Sequence, residues 1–325
     1  MRACFPTFVA AVAALAVAAV AAADKYPSRP VTLISPISAG AGIDVATRAW
    51  MNCVANDKLA GQPFVLLNKP GANGVVAASA FRQAPADGYT IMVVGMSQTT
   101  ITPYTFKKMP YDPEKEFEGA AMFGVTNLVL VATPQSGIKS IADLRAYAKS
   151  HSEVDFLIPA RATPAHLLSE VLSSKLGIKS IMIPVAGEAA GITNLLGQQA
   201  PLMILLAGSA ASFVESGKLV PVMSFSEERL PKYPKTPTAI EALGDTSFTR
   251  SAWIGITTKA GSPPEVARAL DKWTEECLKT PEFRTALENA SFTPRYVPRS
   301  EYAKVVRNDI VFWKDWIQRA GISLD

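Results

Sequence analysis

The sequence is poor in the residues that bind metals and act as general bases. It has two histidines, His151 and His166, and three cysteines among 325 residues, and it has no cluster that combines the two residue types. A histidine-based metal site is therefore not expected. A serine hydrolase is not expected either, because there is no Gly-x-Ser-x-Gly motif and neither histidine has a recognisable nucleophile partner. The sequence indicates no catalytic residues and no cofactor.

A strong charge of one sign is also lacking. The 32 Lys and Arg residues nearly balance the 28 Asp and Glu residues, and no run of basic residues occurs. This balance argues against nucleic-acid binding and against a polybasic patch for membrane surfaces. Beyond the N-terminus, no apolar run approaches the length of a membrane span.

The N-terminus resembles a secretory signal peptide. An apolar, alanine-rich stretch from Phe8 to Ala22 follows a single Arg2 and ends in small residues. We expect residues 1–23 to be a cleaved signal peptide and the mature protein to be periplasmic. A membrane anchor is the alternative, but the stretch is shorter than the roughly 20 residues that a span needs.

Cleavage after Ala23 would leave 302 residues, a length that fits two compact lobes better than one small core. The mature chain would keep Cys53 and Cys277. These cysteines could pair in an oxidising compartment, but we favour two separate buried thiols.

Short apolar runs alternate with helical patterns along the chain, and the alternation occurs twice. Continuous apolar runs indicate strands covered on both faces, as in mainly parallel sheets flanked by helices. The predicted strands cover residues 31–35, 64–67, 90–94, 128–132, 154–158, 181–183, 202–206 and 220–225. The predicted helices cover residues 44–55, 75–82, 141–149, 164–176 and 189–196, followed by a mostly helical C-terminal third.

The last predicted helix carries an apolar stripe formed by Val306, Ile310, Trp313 and Ile317. This spacing is typical of a helix that docks on the first lobe.

Two loops that follow predicted strands are candidates for ligand binding, because ligands of open α/β sheets bind beyond the strand ends. The first, residues 35–44, contains Gly40 and Gly42, which allow close backbone approach and expose amide groups suited to a carboxylate. A nucleotide loop is less favoured because the third glycine and the P-loop Lys-Ser/Thr are missing. An ordinary turn is the other interpretation.

The second loop lies within residues 156–166. Thr163 is a plausible helix N-cap and Pro164 suits the first helical position. Arg161 could pair with a ligand carboxylate through two hydrogen bonds, although a solvated arginine fits equally well. For His166 a structural role is favoured over a catalytic one. Residues 95–100 after the third strand, which include Ser97 and Gln98, offer hydroxyls and an amide at the same sheet edge. Trp253 is slightly favoured as a core residue.

Several short segments resemble the periplasmic substrate-binding proteins of tripartite tricarboxylate transporters, the Bug (TctC-like) family. Together they extend over essentially the whole mature chain. They are residues 26–30, 68–74, 86–90, 110–113, 195–197, 229–231, 236–241 and 253–255.

The resemblance implies an α/β, two-lobed clamshell of the type II periplasmic-binding-protein class, each lobe a mainly parallel sheet flanked by helices. Residues 24–104 and 227–325 would form lobe 1, and residues 105–226 would form lobe 2. The family's ligand contacts fall on the strand–helix loops of this sequence. The positions that match them are Ile37, Ser38, Ala39, Gly40, Asp44, Ser97, Ala160, Arg161, Ala162, Thr163, His166 and Gly187.

The sequence departs from the family pattern within these loops. Ile37 stands in place of an aromatic residue and Ala41 in place of a glycine. Ala160 and Ala162 stand in place of two further glycines, and residues 185–186 in place of an aromatic and a cationic residue. We therefore expect a more apolar pocket, and a ligand with an apolar or aromatic body and one or two carboxylates.

Arg161 would then take over the role of the missing cation. A neutral amide, such as a nicotinamide-type compound, is the alternative ligand.

The resemblance favours a monomeric receptor that delivers its ligand to the membrane permease subunits of a tripartite tricarboxylate transporter. A binding module that signals through a sensor kinase is the second hypothesis. A hydrolase using Ser38 or Ser97 is the third, and it lacks a credible histidine base.

Overall fold

The computed structural model describes residues 26–56 and 59–323, so the predicted signal peptide lies outside the described residues. The described chain forms the strands β1 (Val31–Ser35), β2 (Phe64–Asn68), β3 (Thr90–Gly95), β4 (Phe117–Ala132), β5 (Val154–Ile158), β6 (Ser180–Pro184), β7 (Leu202–Leu206), β8 (Val220–Ser224), β9 (Ser251–Lys259) and β10 (Thr293–Val297). It forms the helices α1 (Gly42–Asn56), α2 (Val75–Gln83), α3 (Pro113–Glu116), α4 (Ile141–Ser150), α5 (Pro164–Leu176), α6 (Glu188–Leu196), α7 (Ala207–Glu215), α8 (Ala239–Leu243), α9 (Pro264–Lys279), α10 (Pro281–Asn289) and α11 (Arg299–Ala320).

The strands form two sheets that share β4. The hydrogen-bonded order is β2-β1-β3-β9-β4-β7-β5-β6, with β10 and β8 also paired to β4. Residues 117–127 of β4 pair with β9, and residues 128–132 pair with β7. We call the sheet on the β9 side the first sheet and the sheet on the β7 side the second sheet. The long strand β4 therefore ties the two sheets together.

Each sheet contains a parallel trio of strands that is extended by antiparallel strands. In the first sheet β1 pairs in parallel with β2 and β3, and in the second β5 pairs in parallel with β6 and β7. The strands β4 and β9 enter antiparallel to their neighbours, so the sheets are mixed rather than parallel throughout. The predicted α/β class is confirmed, and the residue bounds of the two lobes stay a prediction.

The burial of the strands explains their sequence patterns. Central strands such as β3 and β7 are buried on both faces, and they appear in the sequence as continuous apolar runs. The edge strands β2 and β6 alternate between exposed and half-buried residues. Val65 and Ile181 are exposed on these edges.

The first sheet packs against α1, α9 and α10 through large apolar side chains. Trp50 is fully buried and donates a hydrogen bond of 3.0 Å from its indole nitrogen to the Thr274 hydroxyl. Close by, Cys53 on α1 and Cys277 on α9 form a disulfide. The favoured prediction of two separate thiols is therefore wrong, because packing brings residues 224 positions apart to a Cα separation of 5.9 Å.

The C-terminal helix α11 buries three residues of its predicted apolar stripe, Ile310, Trp313 and Ile317, whereas Val306 is half-buried. Trp313 is fully buried and its indole N–H points to the sulfur of Met96 at 3.1 Å. The helix contacts β4 and also α5, so it packs against elements of both sheets. Trp253 is a core residue, as predicted, and donates a 2.8 Å hydrogen bond to the Asp309 carboxylate on α11.

Among the described residues, no helix is both long enough and apolar enough to cross a membrane.

Candidate functional site

A cavity of about 830 Å³ lies at the carboxyl ends of the parallel strands of both sheets. This is the edge at which open α/β sheets bind ligands. Its wall is formed by the loops after β1, β2 and β3 on one side and by those after β5, β6 and β7 on the other. The lining residues are Pro36, Ile37, Ser38, Ala41, Gly42, Pro70, Gly71, Ala72, Asn73, Gly74, Ser97, Gln98, Pro159, Ala160, Thr163, Ala186, Gly187, Glu188, Ala189, Ile192 and Ser209.

Asp44 braces the loop after β1 from inside the protein. Its side chain is buried, and its carboxylate accepts hydrogen bonds from the Gly40 N–H at 2.9 Å, from Arg48 at 2.9 Å and from Asn68 at 2.7 Å. Burial raises the pKa of the Asp44 carboxyl, but these hydrogen bonds and the Arg48 charge outweigh it and hold the pKa below its usual value. Asp44 therefore shapes the loop rather than lining the cavity.

The loop after β5 is held by the N-terminus of α5. The Thr163 hydroxyl accepts from the His166 N–H at 3.3 Å and donates to the Ala160 carbonyl at 3.0 Å. The ring Nδ1 of His166 accepts from the Ala162 N–H at 3.0 Å, which places the ring proton on Nε2, 3.5 Å from Glu170. Ala162 is buried and has a positive φ of 52°, the conformation that glycine adopts without cost.

A hydrogen bond crosses the cavity mouth between the two sides. The side-chain amide of Asn73 donates to the carbonyl oxygen of Arg161 at 2.7 Å. Gln98 supports Asn73 from below, because its amide donates to the Asn73 carbonyl and its side-chain oxygen accepts from the Gly95 N–H. The side chain of Arg161 is exposed, and Arg161 is not among the residues that line the cavity.

Glu188 contributes a carboxyl group to the opposite wall. It is the first residue of α6, and its carboxylate accepts from the Leu206 N–H at 2.6 Å and from the Ser209 hydroxyl at 2.8 Å. Burial raises the pKa of this carboxyl, and the two hydrogen bonds offset part of that effect. Glu188 thus joins the start of α6 to the start of α7.

The protein family follows from comparison with known sequences and structures. Residues 50–322 match the model of the tripartite tricarboxylate transporter family receptor. The chain belongs to this receptor family. It is 29% identical to BugT of Bordetella pertussis over 304 residues, which cover 93% of this chain and 92% of BugT. The resemblance predicted from the sequence is therefore confirmed.

Solved structures of similar proteins share the fold. The periplasmic binding protein BugD is 25% identical, with a TM-score of 0.80 over 92% of this chain and 99% of BugD. MatC from Rhodopseudomonas palustris, solved with bound malate, is also 25% identical, with a TM-score of 0.78 over 90% of this chain and 100% of MatC. The chain thus has the α/β fold of periplasmic binding proteins, with mixed sheets flanked by helices.

Half of the residues predicted for the receptor site lie in the cavity wall, and the other half lie behind or beside it. The six that line the cavity are Ile37, Ser38, Ser97, Ala160, Thr163 and Gly187. The six that do not are Ala39, Gly40, Asp44, Arg161, Ala162 and His166.

Three polar residues of the wall were not predicted from the sequence as site residues: Asn73, Glu188 and Ser209. Asn73 lies in a segment that carried the family resemblance, so that segment could have indicated it. Glu188 directly precedes the predicted helix 189–196, where an acidic residue is common, so its identity gave no sign of a cavity.

Proposed function

We propose that this receptor is a periplasmic solute-binding protein that captures a small carboxylate with an apolar body and delivers it to the membrane permease of a tripartite tricarboxylate transporter. The observation that carries the proposal is the cavity between the strand-end loops of both sheets, at which helices such as α1, α5, α6 and α7 begin. Helix N-termini present free N–H groups and favour negative charge.

These helix starts are not all equally open to a solute carboxylate. The start of α7 already holds the carboxyl of Glu188, which accepts from the Leu206 N–H and the Ser209 hydroxyl. The starts of α1 and α5 lie on opposite sides of the cavity and are reached through the Ser38 and Thr163 loops. Ile37 and Ile192 add apolar surface that suits a hydrocarbon body.

Capture would act through closure of the two sides. A solute that touches both loops favours the closed form by its extra contacts there, and the permease would recognise that form. The hydrogen bond from Asn73 to the Arg161 carbonyl is a contact between the sides that would form on closing.

Binding without catalysis is supported by the engagement of His166. Its Nδ1 accepts from the Ala162 N–H and its Nε2 lies beside Glu170, so neither nitrogen is left to serve as a base for Ser38 or Ser97. The disulfide between Cys53 and Cys277 supports an oxidising compartment such as the periplasm.

A thermal-shift screen of the purified protein against mono-, di- and tricarboxylates, aromatic acids and their amides tests the proposal. A ligand at 100 times its dissociation constant adds about 2.7 kcal/mol of stability, which raises Tm by several degrees. We expect a clear shift with an apolar-bodied carboxylate. Shifts with neutral amides alone would overturn the carboxylate assignment.

Two further measurements test the role of Arg161 and distinguish transport from signalling. The Arg161→Ala variant tests the predicted role of this side chain, which requires a large loss of carboxylate affinity. Uptake of the labelled ligand by cells lacking the gene tests transport, because a signalling module would leave uptake unchanged.

A further inference from the structure

Glu188 gives the cavity a carboxyl group and no compensating cation. Among the described residues that line the cavity, Glu188 alone has a titratable side chain. The other polar groups of the wall are neutral hydroxyls and amides, such as those of Ser38, Ser97, Asn73 and Gln98. When this carboxyl is ionised, its charge acts more strongly in a partly enclosed cavity than it would in water.

The carboxyl of Glu188 is fixed in place and keeps room for a further donor. Its Oε1 accepts from the Leu206 N–H and its Oε2 accepts from the Ser209 hydroxyl. A carboxylate can accept about four hydrogen bonds, so each oxygen of Glu188 can accept one more. When ionised it has no proton to donate, and a solute group at this wall must therefore be a donor or remain unpaired.

The two sides of the cavity thus present different chemistry. The loop after β1 offers the hydroxyl of Ser38, a donor suited to a carboxylate. The wall at Glu188 belongs to the second sheet and offers the carboxyl oxygens as acceptors. When this carboxyl is ionised, a second solute carboxylate at that wall would meet a like charge, whereas an ammonium or a carboxamide N–H would meet a partner.

We propose that Glu188 selects solutes that carry an N–H donor group in addition to a carboxylate, so that the solute class is an amino or amido carboxylate. The proposal rests on the proposed function, which supplies the carboxylate end. It assigns Glu188 the role of a specificity-determining residue at the opposite end of the solute.

Calorimetric titration of the purified protein with matched compounds tests this inference. One series is 4-aminobutanoate, succinamate, succinate and butanoate, and a longer one is 6-aminohexanoate, adipamate, adipate and hexanoate. The α-amino acids glutamate and glutamine are added because their donor lies beside the carboxylate. The variants are Glu188→Gln and, as a matched control, Glu153→Gln, which makes the same change in a surface ion pair with Lys179.

We expect at least one amino or amido compound to bind about tenfold tighter than the dicarboxylate and the plain monocarboxylate of equal length. Glu188→Gln should weaken an ammonium compound about tenfold and a carboxamide less, because the glutamine oxygen still accepts a hydrogen bond. Glu153→Gln should change neither.

Dicarboxylates that bind as tightly as their amino and amido counterparts, unaffected by Glu188→Gln, would overturn the inference and leave the proposed function standing. Failure of every compound, and of every carboxylate in the thermal-shift screen, would overturn both. The comparison within the wild-type protein decides the solute class even if Glu188→Gln does not fold.

Discussion

The side-chain amide of Asn73 donates a 2.7 Å hydrogen bond to the main-chain carbonyl of Arg161, 88 residues further along the chain and on the other side of the cavity. The acceptor is the main-chain carbonyl of Arg161, and the guanidinium group takes no part in this bond. One such bond contributes about 0.5–1.5 kcal/mol. It can therefore change the balance between open and closed forms about two- to tenfold without any solute.

Removing this contact should favour the open form. Asn73 has a positive φ of 51°, so Asn73→Gly deletes the amide and keeps a compatible backbone. We expect a larger radius of gyration in small-angle scattering of the ligand-free variant. Ala72→Gly is the control, because Ala72 has a similar backbone conformation and lacks the amide. Equal scattering from the wild type and both variants would contradict the role of the contact.

The loop after β5 allows two neighbouring alanines to be compared. Ala162 has a left-handed φ of 52°, whereas Ala160 has a negative φ. Ala162→Gly relieves strain that exceeds the entropy cost of glycine, whereas Ala160→Gly brings only that cost. We expect Ala162→Gly to be more stable than Ala160→Gly by about 1 kcal/mol in urea unfolding. A reversed order would show that the backbone at residue 162 is not strained.

Much of the fold could be predicted because local signals and tertiary structure agree. The bounds of α5 are those predicted, since Thr163 caps its start and Gly177 ends it in a left-handed conformation. Strands such as β5 and β7 are equally clear because they are buried on both faces. Helix α7 was not predicted, because its Ala-, Gly- and Ser-rich sequence lacks an apolar stripe.

The site was harder to predict than the fold for a related reason. The partner of Glu188 is Ser209 at the start of α7, so the contact could not be anticipated without that helix. The disulfide between Cys53 and Cys277 could not be anticipated either, because it depends on how α1 and α9 pack. Sequence patterns locate strand ends and caps, whereas contacts between distant side chains come from packing.

Asp309 should make stability depend on pH. Burial raises its pKa from 3.8 to about 6, against the opposing effects of the Trp253 hydrogen bond and the Arg250 charge. The folded state thus binds this proton more tightly than the unfolded state, and the stabilisation is full below pH 3.8 and lost as pH rises through about 6. Relative to Asp309→Asn, the wild type should lose about 2 kcal/mol between pH 4 and 7.

Urea unfolding of the wild type and Asp309→Asn at each pH unit between 4 and 7 measures this change. The asparagine oxygen can still accept from Trp253, so the comparison removes the titration and keeps the hydrogen bond. A stability difference that stays constant with pH would contradict the raised pKa.

The disulfide should contribute strongly to stability. It closes a loop with a sequence separation of 224 residues, and long loops lose most entropy in the unfolded chain. We expect the double variant Cys53→Ser/Cys277→Ser to lose roughly 3–5 kcal/mol in the free energy of unfolding. Peptide mapping without reductant should recover the linked peptides of α1 and α9. Free thiols in the mature protein would contradict the pairing.

The link between α1 and α9 also makes most of the described chain a covalent ring. The chain passes from the first sheet towards the second after β3 and returns before β9. Both of these connections lie between Cys53 and Cys277, within the ring that the disulfide closes. A protease that cuts once in a surface loop of this ring produces two polypeptides that stay joined as one molecule. The nicked receptor would migrate as a single species until it is reduced, so loss of one peptide bond in this region does not separate the two fragments.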